Sequence, residues 1–392
     1  MPFRILSLDG GGIRGVIAAT ILAEVEKRIS QPLNKYFDLI AGTSTGSILG
    51  AAIATGRKSE EIVELYQKEG STIFPYQSLF SLQRIPLLLK YGLSAPKYPD
   101  DGLIKVLREA FGETRLFESF PPLLLIVSYD TIERKPIIFK NWRKDKAYGN
   151  LPLWEACVCS SSAPTYFPAH KLDKKVDGEI QKATVSSVVL GKDASSVDCI
   201  YEGKVIRIIS GTGKGQSRSI IKYEGMSHQA FVDTPWLVIP DTTSTYLIDT
   251  VYSAIDGGVA ANNPSSAAIA EALELGYPLE EISVISIGTG GATRIIPFDN
   301  AQEWGLIQWA QPLIGVLFDA SSDVYTYITS HIIPNERYLR LQFKLDKELI
   351  GEPLNESIDA VSKENIDNLI AAARVYINKQ EVQKELEKFF AD

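Results

Sequence analysis

A chain of 392 residues, 45% apolar and 22% charged, is long enough for one large α/β domain with an insertion or for two to three domains, and it has the balance of an ordinary globular protein. The net charge of −8 disfavours nucleic acid as a partner and gives no general attraction to anionic membranes. No run of about eighteen apolar residues occurs, so no transmembrane segment is expected. The opening stretch Met1 to Asp9 is too short for a signal-peptide core, and the three cysteines, Cys157, Cys159 and Cys199, lack the spacing of a disulfide framework or a zinc site; both point to a reducing, cytoplasmic compartment.

Residues 3 to 8 read as a strand, and the apolar spacing of Val16, Ile17, Ile21, Leu22, Val25 and Ile29 reads as the helix that follows it. Between them, Asp9-Gly10-Gly11-Gly12-Ile13-Arg14-Gly15 leaves backbone N–H groups open before a helix N-terminus, a nest that attracts negative charge. Gly10, Gly12 and Gly15 also satisfy the dinucleotide fingerprint G-x-G-x-x-G, so a Rossmann site is a competing reading. Against it, Asp9 would face the pyrophosphate, and the acidic residue expected at the end of the next strand is absent, because Asp38 sits near the start of strand 37–41.

That strand runs into Gly42-Thr43-Ser44-Thr45-Gly46 and then a small-residue helix to Thr55, the pattern of a nucleophile elbow. A serine on such a turn projects from the sheet near the positive end of a helix dipole, and glycines on either side avoid collisions with neighbouring backbone. A further helix opens at Ser59, a plausible N-cap. Residues 73 to 99 are apolar, aromatic and broken by prolines, which suits buried core or, if exposed, a membrane-contacting surface or lid. A helix is expected from Asp101 to Phe111, a strand buried on both faces at 123–128, a pairing partner at 133–139, and a helix of small residues from 151 to Ala163.

From 171 to 251 the composition shifts to Val, Ile, Ser and Thr with regular turn signals, which suggests a small all-β module. Gly211 to Gly215 lacks the spacing of a phosphate loop and reads as a hairpin turn. The α/β pattern resumes with Asp256-Gly257-Gly258 and with Asn263-Pro264 opening a helix. Beyond it come a strand at 282–287 with a glycine loop at 288–290, helical patterns over 302–330, a strand at 337–343, and amphipathic helices at 363–378 and 380–390 that cover the domain.

Three separated pieces, Asp9 to Gly15, Gly42 to Gly46 and Asp256-Gly257-Gly258, together resemble the patatin-like phospholipase family, with Ser160 to His170 and Val259 to Pro264 also similar to it. The resemblance covers about 1–170 and 252–345; the stretch 171–251 departs from it as an inserted module whose partner is undefined. It implies an α/β three-layer sandwich, a mostly parallel central sheet flanked by helices, divided here into 1–170, the insertion 171–251, 252–345, and C-terminal helices 346–392 packing on the catalytic part.

The resemblance further implies a lipid acyl hydrolase of phospholipase A or galactolipase type, acting on a lipid or membrane-surface substrate without metal or cofactor. Ser44 is then the nucleophile, Asp256 its base, and the amides of Gly10, Gly11 and Gly12 the oxyanion hole, with Arg14 lending positive field or structural pairing. A serine needs an adjacent base. His170, His228 and His331 each sit in a context that favours a structural role, which leaves Asp256, with flanking glycines that permit close approach to Ser44. Taken alone, Asp256-Gly257-Gly258 is a tight turn. A Rossmann-type protein and a catalytically silent lipid-binding module remain the alternatives; the expected location is cytoplasmic and peripheral at membranes.

Overall fold

Side-chain alternation sorts the molecule into layers. In the computed structural model the described residues are all those except Met1, Ser30, Leu79, Leu93, Asp145, Ala147, Leu306, Ile307, Ala310, Gln311 and Asp392. Parts of the expectations for 73–99 and 302–330 therefore fall outside them. The first strands are β1 (Phe3–Leu8), β2 (Leu39–Thr43), β3 (Leu123–Asp130), β4 (Lys135–Lys140) and β5 (His170–Glu179). Then come β6 (Lys182–Ala183), β7 (Ser187–Val189), β8 (Val205–Ser210), β9 (Ser217–Glu224), β10 (Gln229–Val232), β11 (Thr245–Asp256), β12 (Ile282–Ile287) and β13 (Tyr338–Leu341).

The order β13-β12-β1-β2-β3 is parallel throughout. Leu6, Leu8, Ile40, Leu124, Ile126 and Ile285 face one core, against helices Gly15–Ile29, Thr45–Ala54 and Lys363–Ile377, while Ile5, Leu39, Ala41, Leu125, Val127 and Val284 face a second, against helix Ser265–Glu274. A strand period of two places alternate residues on opposite faces, so continuous apolar runs are what a sheet covered on both sides requires. The result is the expected three-layer α/β sandwich. Taken whole, the sheet is mixed, because β4 and β11 both join β3 antiparallel.

The β-rich stretch extends this sheet. β5 and β11 pair antiparallel from Ala254↔His170 to Thr245↔Glu179, a two-stranded ribbon that carries the remaining strands away from the helices. Those strands close around a separate apolar cluster that includes Val188, Tyr201, Ile206, Ile220, Tyr223 and Tyr246. The loop 211–216 joins β8 to β9 as a hairpin. β11 is one uninterrupted strand of 12 residues, so the strand that closes the projection also delivers Asp256 to its end beside β3.

Several boundaries move slightly. β2 begins at Leu39, and Asp38 before it accepts the Arg4 amide. Pro264 stands at the cap of helix Ser265–Glu274, where the Asn263 side chain accepts the Ser265 amide. Residues 73–99 divide: Phe74, Tyr76 and Tyr98 are buried in the main core, whereas Phe80, Leu82 and Leu89 are exposed.

Candidate active site

Ser44 occupies the single residue between β2 and helix Thr45–Ala54, with φ 54° and ψ −123°. For a non-glycine residue this conformation is strained, of order 1–3 kcal/mol, and persists only where the surroundings over-determine it. They do so here. The Ser44 amide donates to Ser160 Oγ at 2.8 Å, Ser160 Oγ donates to the Val127 carbonyl, and Ser47 Oγ donates to the Ser44 carbonyl at 2.6 Å. Gly42 and Gly46 are required by close approach: a Cβ on Gly42 would stand 2.2 Å from the Gly46 carbonyl, and one on Gly46 would stand 2.1 Å from the Leu8 carbonyl.

Asp256 is fully buried at the end of β11. Its amide donates to the Ser162 carbonyl, and the Gly257 amide to the Ser160 carbonyl. The C-terminal end of helix Leu153–Ser161 therefore grips both Ser44 and Asp256, a role for Ser160 and Ser162 that small-residue content alone does not reveal. Asp256 Oδ1 accepts the Gly258 amide at 2.8 Å, while Oδ2 has no hydrogen-bond partner. Burial pushes this carboxyl up to about 7, against the opposing pull of the Ser44 hydroxyl and the Gly258 amide.

The flanking glycines serve a different purpose from the one expected. A Cβ on Gly257 would meet the Val127 carbonyl at 2.1 Å and one on Gly258 would meet the Phe318 ring at 2.9 Å. They let the turn fit against β3 and helix Pro312–Ile332 rather than against Ser44.

Two corrections apply to the glycine run. The Gly10 amide is committed to the Asn262 carbonyl at 3.1 Å, so it is not a free donor. Among the described residues, the amides of Gly11 and Gly12 have no acceptor, and Gly12 lines the same pocket as Ser44. Arg14 is buried, and its side chain points to backbone carbonyls, Nε to Gly11 at 3.4 Å and Nη1 to Gly290 at 3.4 Å. Of the two roles expected for it, structural pairing is the one the contacts describe. Asp9 is held by Arg340, with Nη1 to Oδ1 at 2.9 Å and Nη2 to Oδ2 at 2.5 Å, and Ser322 adds a third donor. Gly15 packs against Thr45 and Tyr66.

The nest before helix Gly15–Ile29 is closed: the Ile13 amide donates to the Ile358 carbonyl at 2.8 Å, and a Cβ on Gly12 would lie 2.2 Å from that oxygen. One donor of the nest is thus already used within the chain, which weighs against the Rossmann reading. Ile358 belongs to a strap, 355–361, tied down by Asp359, which accepts from Tyr98 at 2.6 Å and pairs with Lys97. The C-terminal portion therefore forms part of the site wall as well as covering the domain.

The pocket at Ser44 is narrow, about 40 Å³, and its walls include Ile13, Ile48, Ile73, Phe74, Leu103 and Phe167. No histidine lines it. His170 contacts Glu155 at 3.2 Å, His331 the Tyr327 carbonyl at 2.7 Å, and His228 lies in the β-rich projection.

Ser44 on its strained turn and the glycine run both lie within residues 6–184, which match the family description "Patatin-like phospholipase". Over that stretch the chain is similar to the patatin-like phospholipases. "Patatin-like protein 2" of Oryza sativa subsp. indica is 28% identical over 98% of this chain and 85% of its own length. "Probable inactive patatin-3-Kuras 1" of Solanum tuberosum is 28% identical over 86% of this chain and 78% of its own. Among solved structures, human GIVD cytosolic phospholipase A2 covers all of this chain and 60% of that one at 10% identity, with a TM-score of 0.41. Among the described residues, no helix of this patatin-like chain is long and apolar enough to cross a membrane.

Proposed function

We propose that the protein is a lipid acyl hydrolase working through a Ser44–Asp256 dyad. The observation that carries this reading is the pairing of a serine in a strained backbone with a buried carboxyl whose Oδ2 is unpartnered. Ser44 Oγ attacks the ester carbonyl and its proton passes to Asp256; the protonated Asp256 then returns that proton to the departing alcohol. Water next attacks the acyl-serine, giving a proton to Asp256, which passes it to Ser44 Oγ as the carbonyl–Oγ bond breaks and the fatty acid leaves. The amides of Gly11 and Gly12, with the positive end of helix Thr45–Ala54, stabilise the oxyanion.

The apolar pocket suits an acyl chain. Large apolar side chains also stand exposed: Phe80 and Leu89 at 95% and 83%, Ile295 and Phe298 at 81% and 75%. Both segments are tied to the strap, Gln77 to the Asp359 carbonyl and the Thr293 and Arg294 amides to Glu356. Exposed apolar area of this kind marks a contact surface, which supports a phospholipid or galactolipid at a membrane surface and a peripheral, cytoplasmic protein.

Fatty-acid release from mixed phospholipid and galactolipid vesicles tests the reading. Ser44→Ala is expected to lose at least about a thousandfold in turnover. Wild-type kcat/KM should rise with pH through about 7, because only ionised Asp256 accepts the proton. Vesicle binding without any release beyond the Ser44→Ala level would instead favour a catalytically silent lipid-binding protein.

A further inference from the structure

The turn Gly288-Thr289-Gly290 follows β12 and lies behind the glycine run. Buried Thr289 donates its hydroxyl to the Gly10 carbonyl at 2.7 Å. Gly290 accepts from Arg14 through its carbonyl, while its amide donates to Gln342 Oε1 at 2.9 Å, which fixes the turn to the residue after β13. Gly290 has φ +91°, and a Cβ there would stand 2.4 Å from Leu345.

A trans peptide is planar, with its N–H directed opposite to its C=O. Holding the Gly10 carbonyl on Thr289 therefore aims the Gly11 N–H the other way. Holding the Gly11 carbonyl on Arg14, whose backbone amide also donates to it at 3.2 Å, does the same for the Gly12 N–H. Glycines have no side chains to lock these planes and populate a wide range of backbone angles. Orientation must come from whatever grips their carbonyls.

We infer that Thr289 is a positioning residue for the oxyanion-binding amides, and that Gly288-Thr289-Gly290 is a fourth component of the site beside the glycine run, the elbow and the Asp-Gly-Gly turn. The inference rests on the hydrolase reading above. It also gives Gly11 a second constraint: a Cβ there would lie 2.2 Å from Thr289 Oγ1, the atom the Gly10 carbonyl needs. The negative charge that the amides meet exists only in the transition state, so the effect of Thr289 falls on kcat rather than KM.

The full chain is assayed on a soluble short-chain p-nitrophenyl ester as wild type, Thr289→Val, Thr289→Ser and Ser44→Ala. Thr289→Val keeps the shape and removes the donor; it is expected to lower kcat about 10- to 100-fold with KM within about twofold. Thr289→Ser keeps the donor and should return kcat to within about threefold of wild type. If the valine variant does not fold, Thr289→Ala against Thr289→Ser gives the same contrast. Wild-type kcat in a donor-free variant, or a loss that serine does not rescue, overturns the positioning role. A wild type no faster than Ser44→Ala overturns the hydrolase reading itself.

Discussion

Ser44 takes the bond that fixes its amide from Ser160, 116 positions away, and the Gly10 carbonyl takes its donor from Thr289, 279 positions away. In the β-rich projection, by contrast, β8 pairs β9 and β9 pairs β10 in chain order, although β10 also pairs β7 and β11 pairs β8, around a core made of apolar and tyrosine side chains. The region around Ser44 buries Asp9, Arg14 and Asp256, with Arg340 partly buried, and holds Ser44 in strain. Buried charge and strain cost stability wherever they occur. The difference teaches where the fold carries its costs: the strained serine and the buried Asp256 lie at the candidate site, while the projection's core is built of apolar and tyrosine side chains.

The sharpest way to break this contrast is to remove one partner of a buried pair. Arg340→Met leaves the Asp9 carboxylate unpaired beside the glycine run and should destabilise by roughly 3–5 kcal/mol in urea unfolding. A loss below about 1 kcal/mol, the size of an exposed pair, would show that the core does not depend on it.

Asp256→Asn sharpens the contrast in the opposite direction. The folded-state value of this carboxyl, raised to about 7, lies above that of the unfolded chain, so wild-type stability falls as pH rises from the unfolded value through about 7. The asparagine variant should therefore melt higher than wild type at pH 8, by at least about 2 °C, with the gap shrinking toward pH 5. Its ester hydrolysis should be lost at both pH values. A variant less stable than wild type at pH 8 would mean that the charged carboxylate is not a burden to the fold.

The smallest effect is expected from the projection. We propose that it is an independent module, dispensable for chemistry. Replacing residues 181–243 by an Asn-Gly turn keeps the β5–β11 ribbon and its delivery of Asp256, because Glu179 and Thr245 already face each other. Hydrolysis of a soluble ester should stay within about threefold of wild type, since loop-closure entropy changes little. A folded but inactive shortened protein would make the projection part of the site.

Much of the fold was legible because it depends on local pattern. Leu123 to Val127 reads as a doubly buried strand from composition alone, and Phe37 to Gly46 reads as strand, turn and helix from spacing. The turns at 211–215 likewise announced a hairpin. The candidate dyad was legible through its three motifs. Which amides stay free was not: Gly10, Gly11 and Gly12 are identical in the sequence, and only the Asn262 carbonyl distinguishes the first.

The sequence by itself determined the apolar alternation, the glycines that close approach demands, and the serine and aspartate on which the reading rests, because each is a property of a few adjacent residues. Tertiary structure alone decided that Ser160 and Ser162 hold both Ser44 and Asp256, that Arg14 turns to carbonyls, and that the Ile358 carbonyl takes the Ile13 amide. Hydrogen bonds of that kind join residues hundreds of positions apart, and their partners are backbone atoms that every residue carries. Only the packed chain selects among them.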